Sequence, residues 1–122
     1  MQNPGPARAT FNFRQVGGVM VIDAAGQIKL GDGADGFRNA VRELLAKDQK
    51  KILVNLGDVT YIDSCGIGEL VAGFTTVRNK GGQFKLVNVS DRVKNLLQLT
   101  KVYAIFDVYD DEARAVQAFP AA

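Results

Sequence analysis

The stretch KILVNLGDVTYIDSCGIGEL, residues 51–70, decides the fold. Its apolar run over residues 52–56 is typical of a strand covered on both faces in a parallel sheet. We predict a loop over residues 57–62 and a helix that begins at Asp63 or Ser64. Apolar residues then recur at helical spacing as far as the Gly81-Gly82 turn: Ile67, Leu70, Val71, Phe74 and Val77. Such a strand followed by an amphipathic helix indicates a sheet flanked by helices.

The residues that precede this stretch predict a hairpin and a helix. Residues 10–16 and 19–22 read as two strands joined by a two-residue turn at Gly17-Gly18, and a short third strand is predicted near residues 26–30. The glycines that follow predict a loop: Gly31, Gly33 and Gly36. After that loop, apolar residues at helical spacing predict the first helix: Phe37, Val41, Leu44 and Leu45.

The residues that follow residue 81 continue the alternation of strands and helices. Residues 84–89 predict a strand, and Ser90 is suited to cap a third helix. A short strand near residues 105–108 and a final helix opened by Asp110 or Asp111 complete the chain. The predicted fold class is therefore α/β, a single domain with a mixed β-sheet, an N-terminal hairpin and about four α-helices.

Length and composition favour one domain. The chain has 122 residues, of which 47% are hydrophobic, enough for a single core. We predict a disordered tail over residues 1–9, the domain over residues 10–119 and a short tail over residues 120–122.

Composition also argues against several classes of function. Fifteen Lys and Arg residues against thirteen Asp and Glu residues give a net charge of +2, which does not indicate a nucleic-acid-binding surface. The chain lacks histidine, the commonest general base and a frequent zinc ligand, so we expect neither a catalytic role nor a metal site. Cys65 is the single cysteine and no long apolar span occurs, so we expect a cytoplasmic protein that does not enter a membrane.

The turn at Asp63-Ser64 carries the chemistry of a helix start. Either side chain can accept a hydrogen bond from a first-turn amide, and the helix dipole favours negative charge there. Gly66 and Gly68 are unusual in a first turn, since each costs about 1 kcal/mol against alanine in a helix interior. Either they leave the backbone bare for another molecule, or they allow the helix to pack closely on the sheet.

The motif Asp63-Ser64-x-Gly66-Ile67-Gly68 resembles the Asp-Ser-(Ser/Thr)-Gly-Leu-Gly signature of the STAS domain family, which includes bacterial anti-sigma factor antagonists. The resemblance extends to the strand at residues 51–56, the Gly81-Gly82 turn, the strand at residues 84–89 and the helix around residues 96–99. It spans about residues 10–119, so motif, order of elements and length agree.

The resemblance implies a phosphorylation switch with protein partners. Ser64 matches the serine that the partner anti-sigma factor, an ATP-dependent serine kinase, phosphorylates in that family. The unphosphorylated antagonist binds the anti-sigma factor and frees a sigma factor, and a PP2C-type phosphatase restores it. ATP is then the kinase's substrate, this chain holds no cofactor, and the free chain is expected to be a monomer. The implied partner-binding residues are consecutive: Asp63, Ser64, Cys65, Gly66, Ile67, Gly68 and Glu69.

A phosphate at Ser64 suits such a switch physically. It would add a charge of about −1.5 to −2 at a helix N-terminus, where free amides and the dipole tolerate it. We therefore expect phosphorylation to preserve the fold and to act at the surface, by repelling a partner or desolvating poorly against it.

The chain departs from the family pattern at two acidic positions. Many family antagonists have Gly-Glu-Leu-Asp where this chain has Gly26-Gln27-Ile28-Lys29, and Asp-Leu where it has Asn55-Leu56. Lys29 and Asn55 therefore leave open an altered partner or a loss of phosphorylation.

Other functions have weaker support in the sequence. The main alternative is a STAS domain that acts unphosphorylated, as an adaptor in a stress-signalling scaffold or beside a transporter. A serine hydrolase is disfavoured because residues 62–66 lack the first glycine of Gly-x-Ser-x-Gly and no histidine can activate Ser64. Cys65 as a redox sensor is a minor alternative. The acidic residues near the C-terminus are expected to serve as helix caps rather than metal ligands: Asp107, Asp110, Asp111 and Glu112.

Overall fold

The computed structural model describes residues 8–121, and these form a mixed five-stranded sheet with four α-helices. The strands are β1 Thr10–Val16, β2 Val19–Ile28, β3 Lys51–Ile62, β4 Gln83–Val87 and β5 Asp107–Tyr109. The helices are α1 Asp32–Ala46, α2 Ser64–Asn79, α3 Asp91–Leu99 and α4 Glu112–Gln117, with a 3-10 turn at Tyr103–Ile105. Within the described residues, none of the helices combines the length and the apolar content needed to span a bilayer.

The strands lie in the sheet in the order β1-β2-β3-β4-β5. β1 and β2 form an antiparallel hairpin, and β2 to β5 are parallel to one another. The predicted fold class, a mixed sheet with an N-terminal hairpin, is confirmed. Because β2 to β5 are parallel neighbours in chain order, their carboxyl ends and the loops that follow them meet at one edge of the sheet.

β2 is one continuous strand, so the prediction of separate strands at residues 19–22 and 26–30 is wrong. Gly26 has φ +89, and a Cβ there would lie 2.2 Å from the carbonyl oxygen of Arg8. The pairing with β3 shifts register between Asp23 and Ala25 and again between Gly26 and Gln27. These irregularities bend the strand without ending it. In the sequence, such a bend resembles a break between two strands.

β3 continues to Ile62, so the predicted loop over residues 57–62 is also wrong. Its first half pairs with both β2 and β4, whereas its second half pairs with β2 alone. In that second half Val59 and Ile62 are buried, and Asp58 and Thr60 are exposed. The polar and glycine residues of an exposed strand edge therefore resemble a loop in sequence.

α1 begins at Asp32, inside the region predicted as a loop. Gly33 lies in its first turn, where a Cβ would be 2.4 Å from the carbonyl oxygen of Gln27, so the glycine is required by close packing on β2. The last strand begins at Asp107 rather than near residue 105, because Tyr103–Ile105 forms the 3-10 turn. β4 likewise ends at Val87, before the predicted limit of residue 89.

The core lies mainly between the sheet and helices α1, α2 and α3. Phe84 on β4 is 1% exposed and makes edge-to-face contacts with Phe37 and Phe74. α4 covers part of the opposite face with Ala115, which packs with Val21 and Leu53. The main core thus includes β3 and α2, the two elements that the turn at residue 63 connects.

The predicted domain limits fall partly outside the described residues. Residues 1–7 and 122 lie outside them. Of the rest of the predicted tails, Ala9 packs against the core, and the carbonyl oxygen of Pro120 accepts a hydrogen bond from Lys51 Nζ. The limits at residues 10 and 119 stay a prediction.

Replacing Phe84 with alanine should lower the free energy of unfolding by about 3–5 kcal/mol, because it leaves a cavity between two other phenyl rings. Leu99→Ala is the matched control, since Leu99 is 78% exposed and should change stability by less than about 0.5 kcal/mol. Urea unfolding followed by circular dichroism measures both. Equal effects of the two substitutions would contradict the described core.

Candidate functional site

The candidate site lies where β2 and β3 end side by side. Ile28 is paired with Ile62 in the parallel register, so the loop after β2 and the residue after β3 are neighbours. The main-chain N–H of Asp63 donates to the carbonyl oxygen of Ile28 at 3.3 Å. The loop at residues 29–31 and the start of α2 therefore form one continuous surface.

The Asp63 carboxylate joins these two segments. Oδ1 accepts a hydrogen bond from the N–H of Gly66 at 2.9 Å, which caps α2, and Oδ2 accepts one from the N–H of Leu30 at 2.9 Å. Desolvation raises the pKa of Asp63, but the amide donors of Leu30, Gly66 and Cys65 outweigh it, so the pKa lies below its ordinary value. The side chain therefore remains ionised and fixes both segments at neutral pH.

Ser64 is the first residue of α2 and is exposed. Its hydroxyl makes no hydrogen bond with any residue between 8 and 121. Cys65 is exposed beside it, as a free thiol. The predicted phosphorylation site is therefore sterically accessible.

Gly66 and Gly68 differ, although the sequence offered the same alternatives for both. A Cβ on Gly66 would lie 2.1 Å from the carbonyl oxygen of Ile28 and 2.7 Å from Ile62 Cγ1, so this glycine permits α2 to pack against the strands. A Cβ on Gly68 would meet no atom within 4 Å, and Gly68 is exposed. Close packing explains Gly66, whereas Gly68 leaves backbone open to another molecule.

The predicted partner-binding residues divide into outward and inward groups. Ser64, Cys65 and Gly68 are exposed, and Asp63 and Glu69 are partly exposed. Gly66 is buried and Ile67 is 7% exposed, so these two residues support the turn from inside. A partner that binds this turn can therefore contact only the outward group through side chains.

Arg38 of α1 holds Glu69 at the edge of this surface. Its guanidinium donates to Glu69 Oε2 at 3.0 Å through Nη1 and to Asp35 Oδ1 at 2.9 Å through Nη2. A small groove of about 100 Å³ between α1 and α2 borders this ion pair. Sequence reasoning missed Arg38, because only the i,i+3 spacing to Asp35 is visible in the chain.

Leu30 was also missed as part of this surface, whereas Lys29 was noticed only as a departure from the family pattern. Leu30 is 75% exposed, although its main chain is held by Asp63. Lys29 is exposed next to it, and a shallow depression of about 250 Å³ lies alongside. The depression is lined by six residues: Arg8, Gln27, Lys29, Leu30, Asp32 and Gly33.

Asn55, one of the departures from the family pattern, has a structural role on the α4 face of the sheet. Its Nδ2 donates to Asp23 Oδ1 at 2.9 Å, and its Oδ1 accepts from Asn88 Nδ2 at 3.1 Å. Hydrogen bonds from Arg14 and Asn55 lower the pKa of Asp23 despite partial burial, so Asp23 is ionised. An aspartate at position 55 would place a second carboxylate against it, which explains the amide.

Of the four acidic residues near the C-terminus that were predicted as helix caps, only Asp111 caps a helix through its side chain, and two others form ion pairs. Asp107 pairs with Lys85 at 2.9 Å, Asp111 caps α4 through the N–H of Arg114, and Glu112 pairs with Arg14 at 2.7 Å. Between residues 8 and 121 they do not converge into a group suited to a metal ion.

The strand order, together with a helix that starts at an Asp-Ser turn and packs through glycine, defines a known class of domain. Residues 10–115 match the STAS domain, and the chain belongs to the STAS domain family. The anti-sigma-B factor antagonist of Bacillus subtilis (strain 168) is 36% identical over 73 residues, which are 60% of this chain and 67% of that relative. The family expectation is confirmed.

Solved structures agree with the fold. A Thermotoga maritima protein provisionally described as an anti-sigma factor antagonist superposes with a TM-score of 0.82 at 29% identity, covering 89% of this chain and 93% of its own. The anti-sigma factor antagonist SpoIIAA in its unphosphorylated form has a TM-score of 0.67 at 19% identity, covering 88% and 96%. The phosphorylated form of the Bacillus cell fate determinant SpoIIAA has a TM-score of 0.69 at 17% identity, covering 88% and 97%.

Alanine at Gly66 and alanine at Gly68 should have opposite effects on stability. Gly66→Ala forces α2 away from β2 and should cost about 2–3 kcal/mol, as overpacked core positions do. Gly68→Ala meets open space in a helix and should stabilise the fold by about 0.5–1 kcal/mol. Thermal and urea unfolding of the two variants give the comparison, and a destabilised Gly68→Ala would contradict the open position.

Asp63→Asn should lower the free energy of unfolding by about 1–2 kcal/mol at pH 7, because its amide can accept the Gly66 N–H but opposes the Leu30 N–H with a donor. The wild-type pKa is lowered on folding, so its contribution is complete above the ordinary value of 3.8 and is lost as pH falls through the folded pKa. The difference between wild type and variant should shrink over that range in urea unfolding at stepped pH. A difference independent of pH would contradict the role of the charge.

Proposed function

We propose that this chain is an anti-sigma factor antagonist that binds an anti-sigma factor when Ser64 is unphosphorylated and is switched off by phosphorylation of Ser64. One observation carries the proposal. In a chain of the STAS domain family, an exposed serine begins α2 directly after Asp63, whose carboxylate accepts two backbone hydrogen bonds. The name of the Bacillus subtilis relative supports the partner class. The two solved forms of SpoIIAA support a phosphorylation switch on this fold.

The start of α2 can accommodate a phosphate without a change of fold. Its first turn contains no acidic side chain, and the Asp63 carboxylate interacts with the N–H groups of Gly66 and Cys65 among the free amides of that turn. The amide of Ser64 remains available to a phosphate oxygen, and the helix dipole adds to the attraction. Phosphorylation is therefore expected to change the surface charge and to leave α2 in place.

The effect on a partner follows from desolvation. A protein seated on Ser64, Cys65 and Gly68 would remove water from the phosphate, and a charge of about −1.5 to −2 would then be buried beside the Asp63 carboxylate. Like or unpaired charges at an interface cost several kcal/mol. The unphosphorylated hydroxyl carries no such cost, so the two forms would differ strongly in affinity.

The remaining parts of the proposal follow from the family. The anti-sigma factor is proposed to be the ATP-dependent serine kinase that modifies Ser64, and a PP2C-type phosphatase is proposed to reverse the modification. The antagonist itself would hold no ATP and would act in the cytoplasm, as a monomer until it binds. Release of a sigma factor, and hence transcription, would be the result of binding.

Ser64→Ala should bind the anti-sigma factor as wild type does, whereas Ser64→Asp should bind at least about 30-fold more weakly because its charge is buried on binding. Thr75→Asp is the matched control, since it adds the same charge to an exposed position farther along α2. Each tagged chain is used to isolate partners from its host, the retained anti-sigma factor is purified, and its Kd is measured by calorimetry. Mass spectrometry of the wild-type bait locates phosphate.

The alternative adaptor function gives a different result in the same experiment. All of the variants would then retain one partner that is not a kinase, and Ser64 would never carry phosphate. That outcome would contradict the proposed switch while leaving the STAS fold unaffected.

A further inference from the structure

We infer that the loop formed by Lys29 and Leu30, here called the Lys29 loop, is a docking element for a partner surface with an apolar pocket bordered by carboxylates. This inference rests on the proposed function, since the partner is the anti-sigma factor that contacts Ser64. It adds the chemistry that the partner must present.

The Lys29 loop is rigid and lies beside Ser64. The N–H of Leu30 donates to Asp63 Oδ2 at 2.9 Å, and the carbonyl oxygen of Lys29 accepts from the N–H of Ala34 at 2.9 Å. Both ends of the loop are thus hydrogen-bonded, one to the residue before Ser64 and the other to α1. A surface already held in position loses little conformational entropy on binding.

Leu30 presents an apolar side chain on this rigid loop. A single exposed leucine is common on protein surfaces, and Leu99 at the end of α3 is as exposed as Leu30. The two differ in position: α3 runs back from the carboxyl edge of the sheet, so Leu99 lies at the opposite end from Ser64. A partner that covers Ser64 meets Leu30 and not Leu99.

The charge of the loop is positive. Among residues 8–121, no carboxylate lies within salt-bridge distance of Lys29, whereas the neighbouring Arg8 is paired with Asp32 at 3.4 Å. The nearby Asp63 carboxylate is occupied by backbone donors. Charge complementarity therefore calls for a carboxylate on the partner opposite Lys29.

An acidic partner surface also fits the switch. A phosphate on Ser64 would repel the same partner carboxylates that Lys29 attracts. Phosphorylation would therefore weaken the attraction between Lys29 and the partner. Lys29 and phosphoserine would then have opposite effects on the same carboxylates of the partner.

The test uses the purified anti-sigma factor that wild type retains, with Kd measured by calorimetry at low and high salt. Lys29→Glu should weaken binding at least about 10-fold at low salt, and added salt should reduce that difference because the interaction is ionic. Leu30→Ser should weaken binding at least about 10-fold at both salt concentrations, because it removes apolar contact. The controls Lys80→Glu and Leu99→Ser, both exposed and distant, should bind within about 2-fold of wild type.

The outcomes separate this inference from the proposed function. If Lys29→Glu and Leu30→Ser bind as their controls do while Ser64→Asp loses binding, the inferred docking role of the Lys29 loop is wrong and the phosphorylation switch stands. If wild type binds no anti-sigma factor, both fail. Restoration of Lys29→Glu binding by one Asp→Lys or Glu→Lys substitution in the partner would establish the contact directly.

The chain's own residues 1–7 are the competing occupant of Leu30. If they cover it, deletion of residues 1–7 and Leu30→Ser should lower the free energy of unfolding by the same amount, and the two changes together should lower it no further. That result would overturn the inference. Independent or absent effects on stability, with the loss of affinity described above, support it.

Discussion

The Asp63 carboxylate, shared between two backbone N–H groups, is the interaction on which the site depends. Parallel pairing brings Ile28 level with Ile62, so the residue after β3 faces the loop after β2. One oxygen then caps α2 at Gly66 and the other holds Leu30. This bridge ties the start of α2, and with it Ser64, to the Lys29 loop.

Close packing behind the turn and openness in front of it follow from the same geometry. α2 approaches β2 so closely that only glycine fits at position 66, and this approach directs Ser64 and Gly68 outward. The cost of glycine in a helix is thus offset at Gly66 by packing. At Gly68 no packing offsets it, which agrees with a surface kept bare for another protein.

Local signals in the sequence predicted the alternation of elements, the hairpin and the Asp63 cap, because each depends on residues close together in the chain. The continuity of β2 and β3 was missed, since it depends on a bulge at Gly26 and on pairing between strands. Leu30 and Arg38 were missed in the site for a similar reason: their bonds to Asp63 and Glu69 join residues 33 and 31 positions apart. Asn55 was noticed as a departure, but its contact with Asp23 required the folded sheet.

We propose that a protein partner binds the surface formed by the Lys29 loop and the outward residues of the Asp63-Ser64 turn. A titration of the isotopically labelled chain with its purified anti-sigma factor, followed by amide NMR, tests this most directly. We expect the largest changes at residues 29–31 and 64–69, with little change in α3 and α4. Changes centred on α3 or α4, with the turn unaffected, would contradict the account.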